Sequence, residues 1–141
     1  MAMFIYKTGV YPISLETASA RITLNQDGSI QLSMGATEIG QGADTVFTQM
    51  AAETTGISVD RVYINSTQDT DVTPFDTGAY ASRQTYVSGM ACKKCALEFR
   101  QKVLEYAAYM LNHDVTDLSK TVYADLVKEA AGKVGQVLGL H

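Results

Sequence analysis

The segment ASARITLNQDGSIQLSMG, residues 18–35, constrains the fold of this chain more than any other. Apolar and polar residues alternate around Ile22 and again from Ile30, which is the two-residue period of a half-buried strand. Asp27 and Gly28 separate the two runs, and glycine tolerates the positive φ that tight hairpin turns require. We therefore predict an antiparallel β-hairpin over residues 18–35.

The periodicity changes after this hairpin. From Ala43 onward apolar residues follow i, i+3, i+4 spacing, which predicts a helix that ends at Gly56. A short β-rich segment at 61–67 predicts a strand. A long helical pattern then covers residues 82–112, with Ser82 as its candidate N-cap.

Three weaker segments complete the reading: a short strand at 3–9, an irregular loop at 68–81 and a last short helix at 122–131. The order of elements predicts an α+β fold. We expect a small, mainly antiparallel sheet packed on one side by a long helix and one or two shorter helices. With 141 residues, the chain suits a single domain, 1–141.

Charge and hydropathy exclude several classes of function. Lys and Arg total 11 against 15 Asp and Glu, no basic run occurs, and nucleic acid is therefore not an expected partner. The most apolar windows are far shorter than the roughly 20 residues that a membrane helix needs, so no membrane partner is expected. A charged leader followed by an apolar core is not visible at the N-terminus, and we expect a cytoplasmic location.

Two segments that precede helices share one design. GATEIGQG (35–42) and FDTGAYAS (75–82) both place glycines before a helix start, where unbonded N–H groups and the positive dipole end attract anions. The side chains that could bind a ligand there are the amides of Gln41 and Gln84, the hydroxyl of Ser82 and the charge of Arg83. The pattern is neither a P-loop nor a dinucleotide G-x-G-x-x-G motif, so an anion or cofactor site and plain helix caps both remain open.

Acidic residues offer two further candidate sites. Glu38 and Asp44 flank the first glycines as a possible acid–base pair, although we favour Glu38 as an acceptor for loop N–H groups and Asp44 as a helix-start residue. Asp69, Asp71 and Asp76 offer the oxygen ligands that calcium prefers, but their spacing is not that of an EF-hand. Solvated or turn-forming aspartates are the favoured interpretation.

The two cysteines form the motif CKKC at Cys92 and Cys95. Redox or zinc chemistry would suit the spacing, and His113 and His141 are the only histidines that could complete a zinc site. Both cysteines lie on the apolar stripe of the long helix. Since a free cysteine packs as a small hydrophobe, ordinary core packing is favoured.

Two longer stretches resemble the molybdenum-binding large subunit of the xanthine dehydrogenase/aldehyde oxidase family. They are GATEIGQGADTVFTQMAAETTGI and STQDTDVTPFDTGAYASRQTYVSGMA, and LNQDGSIQLSMG precedes them as in the family. The similarity runs from about residue 4 to about residue 112 and is closest to bacterial members. Residues 113–141 look like an abbreviated tail with a helix.

The resemblance implies a subdomain that binds molybdopterin, which in bacterial members usually carries a cytosine dinucleotide. The whole enzyme would hydroxylate a heterocycle or an aldehyde with oxygen from water. By resemblance, the pterin lies against Gly40, Gln41 and Gly42, and Ser82, Arg83 and Gln84 contact the cofactor. Tyr80 and Ala81 lie near the molybdenum without binding it directly.

The resemblance also implies partners. The remainder of the large subunit, together with iron–sulfur and FAD domains or subunits, would complete the enzyme. The family's catalytic glutamate matches no residue of this chain, and Glu38 does not take its place, so we assign no catalytic residue and expect an isolated chain to be inactive and to retain no cofactor. Exposed interdomain surfaces favour a homodimer. A stand-alone anion- or nucleotide-binding module and a ligand-free interaction domain are the alternatives.

Overall fold

The computed structural model describes residues 1–65 and 69–111, and its sheet begins with the predicted hairpin. Strand β1, Ala20–Leu24, pairs antiparallel with strand β2, Ile30–Met34. The turn closes through a hydrogen bond from the Asn25 N–H to the Ser29 carbonyl at 2.9 Å. Gly28 adopts a φ of 78°, as the turn signature requires. The hairpin prediction is confirmed.

A third strand makes the sheet mixed. Strand β3, Val62–Asn65, lies parallel to β2, and the strand order is β1-β2-β3. Parallel strands need a crossover, which helix α1, Ala43–Thr55, and a short 3-10 turn, Val59–Arg61, provide. One antiparallel pair therefore comes from the hairpin, and one parallel pair comes from the β2-α1-β3 unit.

Helix α1 begins and ends where the sequence pattern predicts. Gly42 and Gly56, on either side of it, have φ of 83° and 81°, and the Gly56 N–H donates to the Ala52 carbonyl at 2.8 Å. This left-handed glycine closes the helix because it costs no Cβ clash. Asp44 lies in the first turn, where its charge complements the helix dipole.

Helix α2, Gln84–Leu111, packs against α1 and β1. A Cβ added at Gly89 would lie 3.0 Å from the Met50 sulfur, which shows how closely the two helices approach. The helix starts two residues later than predicted, because Ser82 has a left-handed φ of 51° instead of the extended conformation of an N-cap. The predicted N-cap role of Ser82 is therefore wrong.

One hydrophobic core joins the sheet to the two helices. It is built from alternate residues of β2, the inner face of α1 and a stripe of α2: Ile30, Leu32, Met34, Phe47, Ala51, Cys92, Leu104 and Ala107 are among its members. This arrangement confirms the α+β fold class.

The N-terminal segment differs from the sequence prediction. No strand forms at 3–9: Phe4 is 90% exposed and Ile5 is fully exposed, so this apolar run packs against no sheet edge of the described chain. The predicted helix at 122–131 lies outside the described residues, as do His113 and His141. Across the described part of the chain, no helix is both long and apolar enough to span a bilayer.

Candidate functional site

The first of the two turns, residues 37–44, is organised by one carboxylate and will be called the Glu38 turn. Glu38 Oε1 accepts the N–H groups of Gly40 at 2.7 Å and Gly42 at 3.1 Å, and Oε2 accepts that of Asp44 at 3.0 Å. The hydrogen bond from the Asp44 N–H, followed by those from the glycines, holds the pKa of Glu38 below its ordinary value. The preferred interpretation of Glu38 as an acceptor for loop N–H groups is confirmed.

Glycine is required in this turn by backbone conformation. Gly40 has a φ of 95° and Gly42 a φ of 83°, and a Cβ built on either would meet no atom within 4 Å. A side chain is therefore disfavoured by the left-handed φ and not by crowding from the described chain. The face above both glycines is open to an external group.

The second turn, residues 76–83, is organised by one guanidinium and will be called the Arg83 turn. The Arg83 side chain is completely buried. Its N–H groups reach two carboxylates and two backbone carbonyls: Glu16 Oε2 at 2.5 Å, Asp76 Oδ1 at 2.7 Å, the Gly78 carbonyl at 2.8 Å and the Thr17 carbonyl at 2.7 Å. The guanidinium of Arg83 is thus fully engaged by groups of the turn and of the N-terminal segment beside it.

Electrostatics favour the charged form of this cluster. Burial alone would lower the pKa of Arg83, but hydrogen bonds to Glu16 and Asp76 outweigh it and raise that pKa. The Asp76 side chain is also buried, and its Oδ2 accepts the Ser88 hydroxyl at 2.6 Å. The turn-forming interpretation of Asp76 is confirmed, since its Oδ1 also accepts the Gly78 N–H at 2.9 Å. Asp76 is not solvated, however, and the sequence did not indicate its ion pair, because no periodic spacing links Asp76 to Arg83.

Two adjacent residues of the Arg83 turn are held in an unfavourable conformation. Ala81 and Ser82 have φ of 48° and 51°, a region that costs a residue with a Cβ about 1–2 kcal/mol. The Ala81 carbonyl accepts the Gly9 N–H at 2.8 Å, and the Arg83 N–H donates to the Tyr80 carbonyl at 3.1 Å. The surrounding hydrogen bonds therefore fix the strained backbone.

A pair of amides joins the Glu38 turn to Gln84, the residue that directly follows the Arg83 turn. The Gln41 Nε2 group donates to Gln84 Oε1 in a short hydrogen bond. Both amides also donate to the Thr37 carbonyl, at 3.0 Å from Gln41 and 2.8 Å from Gln84. Two segments that are distant along the chain, and that the sequence singles out independently, are thus joined in space.

A cleft of about 290 Å³ opens where the turns meet. Its lining consists of Ile39, Gln41, Ala79, Tyr80, Ala81, Ser82, Arg83, Gln84 and Thr85. This set contains six of the predicted site residues, while Gly40 and Gly42 flank Gln41. Among the residues that the structure describes, no carboxylate lines the cleft, and the N-terminus of α2 borders it. Amide, hydroxyl and backbone donors in such a setting favour a polar, anionic ligand.

The other candidate residues do not extend this site. Burial raises the pKa of the Cys92 thiol to about 12 and also raises that of Cys95, and both thiols are free. The predicted core packing is confirmed for Cys92, which lies in the core cluster. Asp69 Oδ1 accepts the Asp71 N–H at 2.9 Å and so forms a turn, as favoured above. Within residues 1–65 and 69–111, no three His, Cys, Asp or Glu side chains are grouped to hold a metal ion.

Comparison with known proteins points to one family. Residues 1–137 match the family model described as the molybdopterin cofactor-binding domain. The chain is 52% identical over 119 residues to the xanthine dehydrogenase molybdenum-binding subunit of Escherichia coli O157:H7, an alignment that covers 84% of this chain and 16% of the relative.

The chain is also similar to carbon monoxide dehydrogenases in sequence and in structure. The large chain from Afipia carboxidovorans is 35% identical over 100 residues, which are 71% of this chain and 12% of the relative. A solved structure of reconstituted CO dehydrogenase from Oligotropha carboxidovorans matches with a TM-score of 0.66 at 34% identity, over 72% of this chain and 12% of that one. The chain therefore spans about a sixth or less of the length of these relatives.

Proposed function

The chain belongs to the molybdopterin cofactor-binding domain family of xanthine dehydrogenase-like molybdenum enzymes, and from this premise we propose that its cleft forms one wall of the cofactor site. The observation that carries the proposal is the meeting of the Glu38 turn and the Arg83 turn around a single cleft. A chain that used these turns only to cap two helices would not need them to share one opening.

The donor set fits a polar, anionic cofactor. The amides of Gln41 and Gln84 lie at the cleft. Both hydrogens of Gln41 Nε2 are engaged by Gln84 Oε1 and the Thr37 carbonyl, so Gln41 holds the Gln84 amide in place, and a ligand would receive the second N–H of Gln84 or replace one of these bonds. Ser82 presents a hydroxyl, and the α2 N-terminus adds backbone N–H groups ahead of the first helical bond, which Val87 donates to the Arg83 carbonyl. The absence of Asp and Glu from the lining avoids repulsion of phosphate oxygens. The open face at Gly40 lets a flat ring system approach the backbone.

Each residue has a defined part in this proposal. Gln41 and Gln84 would bind and orient the pterin, Gly40 and Gly42 would allow its approach, Tyr80 and Ala81 would lie toward the metal, and Ser82 would donate to the cofactor. Arg83 acts by holding its turn, since its guanidinium is fully engaged in the interior. When bound, the cofactor supplies molybdenum-centred hydroxylation of a heterocycle or an aldehyde with water.

The size of the cleft supports a role as one wall only. A volume of about 290 Å³ lies at the lower end of the roughly 300–1,000 Å³ of pockets that enclose a drug-sized ligand, and a cytosine dinucleotide form of the cofactor is larger than such a ligand. The remaining walls would come from the rest of the large subunit, with iron–sulfur and FAD partners carrying electrons away. We expect the isolated chain to be inactive and to retain no molybdenum.

A groove between α1 and α2 supports the same view of the partners. It has a volume of about 810 Å³ and is lined by apolar groups that include Met50, Met90 and Leu97, with Tyr86 at its edge. Both Tyr86, at 71% exposure, and Leu97, at 50%, are accessible in this chain. An exposed apolar surface of this kind favours burial against another protein surface, which we assign to the rest of the subunit. A homodimer through the same surface is the alternative.

A chimera tests the proposed cofactor wall. The 119 matched residues would replace their counterpart in the E. coli xanthine dehydrogenase molybdenum-binding subunit, and molybdenum and pterin would be measured per subunit. We expect the chimera to retain both. The Gln41→Ala and Gln84→Ala variants should lose most of the cofactor, because each removes an amide from the cleft.

Gln101→Ala is the matched control, since Gln101 is an exposed amide on α2 that does not line the cleft and whose Nε2 group donates to Glu105 Oε1 at 2.8 Å. A folded chimera without pterin, or equal cofactor loss in all three variants, would contradict the proposal. Titration of the 141-residue chain with cytidine monophosphate separates the alternative: micromolar affinity would favour a stand-alone nucleotide-binding module.

A further inference from the structure

We propose that Glu16 is a positioning residue for the cleft, although it does not line it: through Arg83, Glu16 holds Ala81 and Ser82 in the strained conformation that shapes the wall. Which ligand the cleft binds depends on the function proposed above, but the shape of the wall does not. The proposal concerns that shape.

The N-terminal segment beside the cleft, residues 9–18, is attached to the Arg83 turn at both of its ends. At one end the Gly9 N–H donates to the Ala81 carbonyl at 2.8 Å. At the other end Ala18 forms an isolated antiparallel bridge with Asp76. This segment, rather than a strand or helix of the core, is therefore the immediate support of the strained residues.

Glu16 connects this segment to the buried guanidinium. Its Oε1 accepts the Val10 N–H at 2.5 Å, and its Oε2 accepts Arg83 Nε at 2.5 Å. Its side chain is 18% exposed, whereas those of Arg83 and Asp76 are completely buried. Glu16 thus ties the start of the segment to the turn by two hydrogen bonds and fills little of the core.

Strain of this kind persists only where the surroundings determine it more than once. Without Glu16, Arg83 keeps its bonds to Asp76 and to the carbonyls of Gly78 and Thr17, so the fold remains. Without Glu16, however, the Val10 N–H also loses its acceptor. The hydrogen bond from the neighbouring Gly9 N–H to the Ala81 carbonyl is then held less firmly. Ala81 and Ser82 are then free to return to ordinary φ values, and the wall changes shape.

Amide hydrogen exchange of the 141-residue chain without ligand tests this inference. In Glu16→Ala we expect exchange at the Gly9 and Arg83 amides to accelerate by about tenfold, because local opening becomes easier, while the amides of α1 and β2 keep their rates. Glu16→Gln keeps an acceptor and loses the charge, so its acceleration should be smaller. Glu105→Ala, at an exposed acid of α2, is the control and should change neither set.

A glycine rescue separates positioning from general stability. Ser82→Gly in the Glu16→Ala background removes the conformational cost at that position, so the turn needs less support. We expect exchange at Arg83 to return to within about threefold of the parent rate. Equal acceleration in α1, β2 and the turn would show that Glu16 contributes only global stability, and would overturn the inference. So would unchanged exchange at Gly9 and Arg83 in Glu16→Ala.

The chimera described above adds a second readout. Glu16→Ala in the chimera should lower pterin and molybdenum content per subunit by about threefold, while Glu105→Ala should not. If the parent chimera holds no cofactor, the proposed function fails and the exchange result still decides the role of Glu16. If exchange in the ligand-free chain is unchanged, the inference fails whatever the chimera binds.

Discussion

The Glu38 turn and the Arg83 turn border the same cleft and precede the two helices, yet they are built by opposite means. In the first, a carboxylate accepts three backbone N–H groups, and glycines occupy the left-handed positions. In the second, a guanidinium donates to carboxylates and carbonyls, and Ala81 and Ser82 occupy the left-handed positions. One turn avoids backbone strain, and the other contains it.

The difference is one of distance along the chain. Glu38 bonds to groups no more than six positions away. Arg83 bonds to Asp76 and Gly78 within its own turn, but also to Glu16, which is 67 positions away, and to Thr17, which is 66 positions away. The first turn is thus specified by its own residues, whereas the second takes its shape only when the N-terminal segment has folded onto it. Four substitutions test this contrast, beginning with the largest expected effect.

Arg83→Met should destabilise the chain most. The substitution keeps much of the buried stem but leaves the completely buried Asp76 without its cation. Removing one partner of such a pair costs about 3 kcal/mol or more, because the remaining charge stays desolvated. Urea denaturation of the parent and the variant measures the difference.

Lys102→Met is the control for this substitution, since Lys102 is an exposed cation on α2. Its free energy of unfolding should stay within about 0.5 kcal/mol of the parent. Equal losses in Arg83→Met and Lys102→Met would mean that the Arg83 turn does not depend on its ion pairs, and the contrast between the turns would disappear.

Gly35→Ala should have the next largest effect, because Gly35, just before the Glu38 turn, touches the backbone at the start of the Arg83 turn. A Cβ there would approach the Pro74 carbonyl oxygen to 2.1 Å and the Asp76 N atom to 2.7 Å. Since both neighbours are backbone, the loop before the Arg83 turn must move, at a cost of about 2 kcal/mol. Gly89→Ala is the control, because the flexible Met50 side chain can yield there. If the two substitutions cost the same, the contact at Gly35 is not rigid.

Gly42→Ala isolates the cost of conformation from the cost of crowding. No atom of residues 1–65 and 69–111 lies within 4 Å of the added Cβ, but the φ of 83° is unfavourable for alanine. We expect a loss of about 1 kcal/mol in the free energy of unfolding. Ser82→Gly is the opposite change in the other turn and should be neutral or stabilising. A neutral Gly42→Ala would indicate that the Glu38 turn relaxes to another φ.

The distinction between local and distant contacts also explains how much of the structure could be predicted from the sequence. The hairpin, both ends of α1 and the acceptor role of Glu38 follow from local rules: alternation, turn glycines and unbonded N–H groups. Residue types alone indicated the two turns as parts of one candidate site. Their contact through Gln41 and Gln84 needed the structure, because 43 positions separate these residues.

The wrong or incomplete predictions concern residues whose conformation or burial is determined by tertiary contacts. The run at 3–9 has strand composition, but it pairs with neither edge strand of the described sheet and stays exposed. Ser82 has the residue type of an N-cap, but the Arg83 network holds it in the left-handed region. Asp76 forms the expected turn with Gly78, but it is buried instead of solvated and is also a partner of Arg83. In each case the competing interaction joins residues that are far apart in sequence or belongs to no periodic pattern.

Glu38→Gln should have the smallest effect at neutral pH and a distinctive pH dependence. Glu38 is half-buried, and glutamine keeps one acceptor oxygen but turns an NH2 group toward a backbone N–H. The pKa of Glu38 is lowered in the folded chain, so between that value and the ordinary glutamate pKa the unfolded chain binds more protons. The stability that the carboxylate provides is therefore present above about pH 5 and is lost as the pH falls through the lowered pKa.

Urea denaturation of the parent and Glu38→Gln between about pH 3 and pH 7 measures this dependence. We expect the difference in unfolding free energy to be constant near neutral pH and to shrink toward zero in acid. Glu105→Gln, at an exposed acid, should follow the parent throughout. Glu16 also has a lowered pKa, because of hydrogen bonds from the Val10 N–H and Arg83, so the parent curve alone combines both turns and only the difference curve isolates Glu38. A difference that does not change with pH would mean that the charge of Glu38 contributes nothing to its turn.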